Sequence, residues 1–143
     1  MKSRLSVATL LIAIGSMAPS FAAPPACNGA EFTAFRTEFT AAANAGDKTK
    51  LAKLIAFPVE YWATETKGNV QTAGVKTEAE FLQRYDTLFT AFMRKGLKTA
   101  KLLPLQEGRC ALVWHDANSE FSFEFQYVPD TGYRMSGYDV GAY

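Results

Sequence analysis

The spacing of apolar residues changes several times along this chain, and each change marks an element. Phe32, Phe35 and Phe39, followed by Ala42 and Ala43, recur at helical spacing, and Gly46 stands where a left-handed residue ends such a helix. Asp47 is placed to cap a second, short helix with Leu51, Leu54 and Ile55 on one side. Pro58 stops that helix, because the residue before a proline is pushed towards extended backbone. Residues 59–64 are rich in β-branched and aromatic side chains and predict a strand. Lys67-Gly68-Asn69 signals a turn, and residues 70–75 predict the returning hairpin strand.

Thr77 and Glu80 have the spacing of a capping box, in which the threonine caps the glutamate amide and the glutamate reaches back. Behind them Phe81, Leu82, Tyr85, Leu88, Phe89, Phe92 and Met93 mark one face of a single long helix, ended by Gly96, with Asp86 on its polar side at a possible bend. Strands fill the remainder. Residues 100–105 predict an edge strand, since Pro104 cannot donate to a ladder. Residues 110–115 follow, with Cys110, Leu112 and Trp114 on one face, and Asp116-Ala117-Asn118 turns the chain. Phe121, Phe123, Phe125 and Tyr127 then alternate with Ser122, Glu124 and Gln126, the period of a strand with one buried and one wet face. Pro129-Asp130-Thr131-Gly132 is a hairpin turn, and residues 133–140 supply the last strand. The order ααββαββββ predicts an α+β fold, a strongly curved antiparallel sheet wrapped on the N-terminal helices and one long helix.

The N-terminus changes how the rest is read. Lys2 and Arg4 precede an uncharged apolar run over residues 5–14, and Ser20-Phe21-Ala22 is a small-residue exit, the three parts of a secretory signal peptide cleaved after Ala22. The run is shorter than the roughly 20 residues that span a bilayer. Cys27 follows Ala-Ala-Pro-Pro-Ala rather than the pattern of a lipid-modified precursor. The expected product is one domain over residues 23–143, soluble in a bacterial periplasm and off the membrane. Its charge is 13 Lys+Arg (15 − 2) against 14 Asp+Glu, without a basic cluster, which disfavours nucleic acid and anionic membranes as partners. In that oxidising compartment Cys27 and Cys110 are expected to pair, closing a loop worth about 4–5 kcal/mol in the chain-entropy model. With no Cys-x-x-Cys and one histidine, a redox or metal role is not expected, nor is a cofactor.

The element order resembles the nuclear-transport-factor-2-like, or cystatin-like, cone fold. Ala45-Gly46-Asp47, Leu-Ala-Lys-Leu-Ile-Ala-Phe-Pro over residues 51–58 and Glu-Phe-Leu-Gln-Arg-Tyr-Asp-Thr-Leu-Phe over residues 80–89 resemble a group of small secreted bacterial proteins with that fold. These are packing motifs of helix and strand junctions. They imply a fold shared by isomerases, dehydratases, ligand carriers and structural modules, and do not choose among them. Thr66-Lys67-Gly68 and Ser136-Gly137-Tyr138 partly resemble motifs of periplasmic lysozyme inhibitors, with Trp62 and Val140 standing where tyrosines are expected. Those proteins are all-β barrels, whereas this chain opens with helices.

Enzymes on such a cone place a few polar groups in an apolar cavity, where burial moves a pKa towards neutrality. His115 falls opposite Cys110, Leu112 and Trp114 and is expected in solvent. Tyr61 and Trp62 are adjacent on a strand, so one is buried and the other partly exposed. The candidate cavity is lined by Trp62, Tyr85, Phe121, Phe123, Phe125 and Tyr127. The leading expectation is a non-catalytic binding module holding a small apolar ligand or a protein partner in an aromatic-lined cone. One alternative is a small lyase- or isomerase-like enzyme using Asp86 with Tyr85 or Tyr61. Another is an inhibitor or immunity-type protein acting on a cell-wall-active enzyme. The polar face of Ser122, Glu124 and Gln126 favours a monomer over a dimer.

Overall fold

A computed structural model of the chain describes residues 22–66 and 69–142. The expected signal peptide therefore lies, but for Ala22, outside the described residues. Helix α1 runs over Ala30–Ala45 and α2 over Lys48–Lys53. Gly46, at φ 66°, closes α1 by donating to the Ala43 and Ala42 turn together with the next amide, and Asp47 Oδ1 accepts from Lys50 N at 3.0 Å to open α2. Strands β1 (Val59–Thr66) and β2 (Asn69–Val75) form the expected hairpin.

The long helix of the sequence reading is instead two helices, α3 over Glu78–Leu88 and α4 over Ala91–Thr99. The order is thus ααββααββββ. Thr77 Oγ1 accepts from Glu80 N at 3.1 Å and opens α3 as its spacing implied, while the Glu80 carboxylate reaches one residue beyond the cap, accepting from Lys76 N at 2.8 Å. The break falls at Phe89 and Thr90, not at Asp86: Thr90 Oγ1 accepts from Met93 N and starts a new helix. Gly96, expected to end the helix, lies inside α4. A β-carbon there would sit within the Trp114 indole, so this glycine is a packing residue that lets α4 approach the sheet.

Strands β3 (Lys101–Pro104), β4 (Arg109–His115), β5 (Ser119–Val128) and β6 (Gly132–Ala142) form an antiparallel meander. The sheet has six strands in the order β2-β1-β6-β5-β4-β3, is open at both edges, and is mixed rather than wholly antiparallel. The exception is β1 beside β6, paired in parallel at Trp62 and Tyr138. It arises because α3 and α4 carry the chain to the far edge, from which the meander returns to β1.

The helices cover one sheet face. Alternation along β5 sends Phe121, Phe123 and Phe125 to that face, all at most 3% exposed, among buried Phe32, Phe35, Phe39, Phe81, Phe89 and Tyr133. Cys27 and Cys110 are bonded, Cα–Cα 5.7 Å, tying the segment before α1 to β4. Tyr133 strengthens that tie by donating its hydroxyl to the Pro25 carbonyl at 2.6 Å.

Candidate functional site

The six side chains expected to line a cavity are mostly packed against other aromatic rings of the core. Phe123 lies 5.3 Å from Phe89, 5.7 Å from Phe39 and 4.8 Å from Tyr138, centroid to centroid. Phe125 meets Phe39 edge-on at 5.2 Å and Phe32 at 5.6 Å. Tyr127 is half-buried against Tyr133 at 5.3 Å, near the opposite end of β5 from Phe121. Edge-to-face contacts at these spacings are those of a packed aromatic core.

Tyr85 and Asp86 are not brought together. Tyr85 is 6% exposed, stacked on Phe89 and edge-on to Phe81, and its hydroxyl has no hydrogen-bond partner. Asp86 is exposed to solvent. Tyr61 points to the other sheet face, where its ring covers Gly137 and burial, then the Glu124 carboxylate, raises its pKa above the usual tyrosine value. Trp62, its neighbour, is fully buried. His115 is half exposed at the strand end, with Nε2 3.7 Å from Glu120 Oε2. Among the described residues no group of three or more His, Cys, Asp or Glu is placed to hold a metal, and no helix is long and apolar enough to cross a membrane.

Open space lies instead where two elements are interrupted. At the helix break, the orphan carbonyls that end a helix need partners. Leu88 O accepts from Trp62 Nε1 at 3.0 Å and Phe89 O from the Arg94 guanidinium at 2.9 Å. These two bonds hold the break open. Beside it, β1 departs from β6: beyond the Trp62–Tyr138 pair no further β1–β6 pairing is seen among the described residues. Between the two discontinuities lies a groove of about 330 Å³. Leu88, Met93, Phe121 and Val140 give it apolar walls, and Thr64, Thr87 and Thr90 bring hydroxyls. No lining residue is charged.

Phe92 borders this groove and is 45% exposed, although the helical pattern placed it on the buried face. It contacts Phe121 edge-on at 4.7 Å and also borders a second cavity of about 230 Å³ with Gly96, Trp114 and Lys95. The Trp114 indole N–H is buried there without a partner. Of the six predicted lining residues only Phe121 reaches the groove. Thr87, Thr90 and Val140 were missed. A cap-forming threonine inside a long apolar period was the signal that could have exposed the break at Thr90.

No protein-family model and no curated protein matches this chain.

Proposed function

We propose that this chain is an exported, periplasmic binding module of the nuclear-transport-factor-2-like cone type, cleaved after Ala22, and that its ligand sits in the groove at the helix break rather than deep in the cone. The uncharged groove of about 330 Å³, bordered by an exposed phenylalanine, carries this reading. Its size falls at the small end of the range of ligand pockets, and its mixture of apolar walls with a few hydroxyls has the usual chemistry of such sites. The helices on one face of a six-stranded sheet and the bulge between Glu124 and Phe125 suit a curved cone. Among the described residues no charged side chain is buried, which is consistent with binding rather than acid–base work.

Native mass spectrometry of the protein purified from periplasm without denaturation tests this. The expected spectrum is a chain beginning at residue 23, oxidised at Cys27 and Cys110, with a neutral molecule retained and lost from a Phe92→Ala, Thr90→Ala variant. A chain that keeps residues 1–22 overturns the export reading. A ligand held equally by the variant overturns the groove.

A further inference from the structure

We infer that the occupant of this groove is an extended, uncharged peptide segment, recognised through its backbone by the end of β6 at Val140, where β1 no longer pairs with it. The inference rests on the groove reading above and adds the ligand class.

The register shows which amides are available. The β4–β5 hairpin closes with Asp116 N donating to Ser119 O, so Ser119 and every second residue after it bond towards β4. Glu120 and Ser122 therefore bond to β6, at Gly141 and Asp139. Val140, opposite Phe121, lies in the alternate, non-bonded position, and its N–H and C=O point away from β5 towards β1. Yet among the described residues β1 pairs with β6 at Tyr138 and not beyond. The Val140 amide instead donates to the preceding side chain, at Asp139 Oδ1, 2.9 Å. A strand amide served by a neighbouring exposed carboxylate is a replaceable arrangement, since a water-facing Asp139 loses little when a carbonyl takes its place.

Val140 also lines the groove. A strand laid against this edge would thus receive the Val140 N–H, donate to the Val140 carbonyl, and direct alternate side chains towards Met93, Leu88 and Phe121. The hydroxyls of Thr64, Thr87 and Thr90 can serve further peptide amides. With no charged lining residue to compensate it, a charged side chain in the groove would lose hydration without return, so the segment is uncharged.

The test uses the oxidised mature protein and three probes: an acetylated, amidated pentapeptide of alternating valine and threonine, the same peptide N-methylated at its central residues, and the neutral dye N-phenyl-1-naphthylamine. Titrations followed by amide NMR are expected to show saturable peptide binding with the largest shift at Val140. N-methylation weakens it by about tenfold, the loss of one or two hydrogen bonds. Val140→Pro removes an N–H outside the β5 ladder and is expected to weaken binding equally. Should that variant misfold, Asp139→Ala uncovers the amide and is expected to tighten binding a few-fold. Dye binding without peptide binding overturns the peptide class and leaves the groove standing. If neither binds, both readings fall. Peptide shifts centred on Asn69–Val75 or Lys101–Pro104, the two free edges of the sheet, or indifference to both N-methylation and Asp139→Ala, overturn recognition at Val140.

Discussion

The interior between helices and sheet and the mouth at the helix break are lined by the same residue type and behave in opposite ways. Inside, Phe39, Phe89, Phe123 and Phe125 are fully buried, each braced by rings of the facing layer. At the mouth, Phe92 has aromatic neighbours too, Phe121 and Trp114, yet remains 45% exposed. Composition does not separate the two regions. Backbone continuity does: where α3 stops and β1 leaves β6, no turn or strand remains to cover the rings. At this groove, the open space lies at a discontinuity.

The largest test of that difference is a pair of identical truncations. Phe123→Ala is expected to cost about 3–5 kcal/mol, the transfer and cavity terms of a closed core site. Phe92→Ala is expected to cost under about 1 kcal/mol while weakening any groove ligand. Urea midpoints of the two variants decide the matter. Similar losses would mean that the mouth is as closed as the interior.

Trp62→Phe connects the two regions. It keeps a ring in the core but strands the Leu88 carbonyl at the end of α3, with a loss of about 1–3 kcal/mol. It also removes one of the two bonds that hold the helix break. Ligand affinity is therefore expected to fall along with stability, whereas Phe123→Ala corrected for its unfolded fraction keeps affinity. Calorimetric titration of both variants, set beside their unfolding curves, separates the effects.

Gly96→Ala should act in the same direction with a smaller effect. An ordinary helix interior gains up to about 1 kcal/mol from this change. Here the new methyl group meets the buried Trp114 indole, and overpacking costs about 1–3 kcal/mol. The net loss is expected to be modest, with a blue- or red-shifted Trp114 emission as its signature. Unchanged emission together with raised stability would show that the indole moves aside freely.

Legibility in the sequence followed the same division. Elements whose residues speak for themselves were readable: the β5 alternation, the Gly46–Asp47 junction, the Thr77–Glu80 box and the Cys27–Cys110 bond. The helix break was hidden because Phe89 and Met93 do remain on the buried face, so the apolar period runs across the gap without a fault. The partner that the Leu88 carbonyl finds at the break is tertiary: Trp62, distant in sequence, donates to it. The parallel β1–β6 pairing was equally invisible, being set by where a four-strand meander ends. The groove lies between these two features, and therefore little of it was foreseen beyond Phe121. The aromatic stripe showed where the rings gather and could not show that they fill the space between them.

The smallest effect expected is on pH dependence, and it too distinguishes the regions. Burial raises the pKa of Tyr133, with Glu31 and Tyr127 adding to it, and burial with Glu124 raises that of Tyr61. A raised phenol favours the protonated form in the folded state. Its contribution is therefore fully present below the unfolded tyrosine value of about 10 and is lost as pH climbs through the higher folded value. Glu80 has the opposite sign. The Lys76 amide and the Arg84 guanidinium lower its pKa, so its contribution holds above the unfolded carboxylate value and is lost as pH falls through the lower folded one. None of these groups lines the groove. Denaturation midpoints are thus expected to soften at both extremes, with Glu80→Gln removing part of the acid limb. Groove affinity, with no carboxylate or amine in the lining, is expected to stay level between about pH 5 and 9, where acidic side chains remain ionised and tyrosines protonated. A ligand whose affinity changed across that window would place its site among titrating groups, away from the mouth.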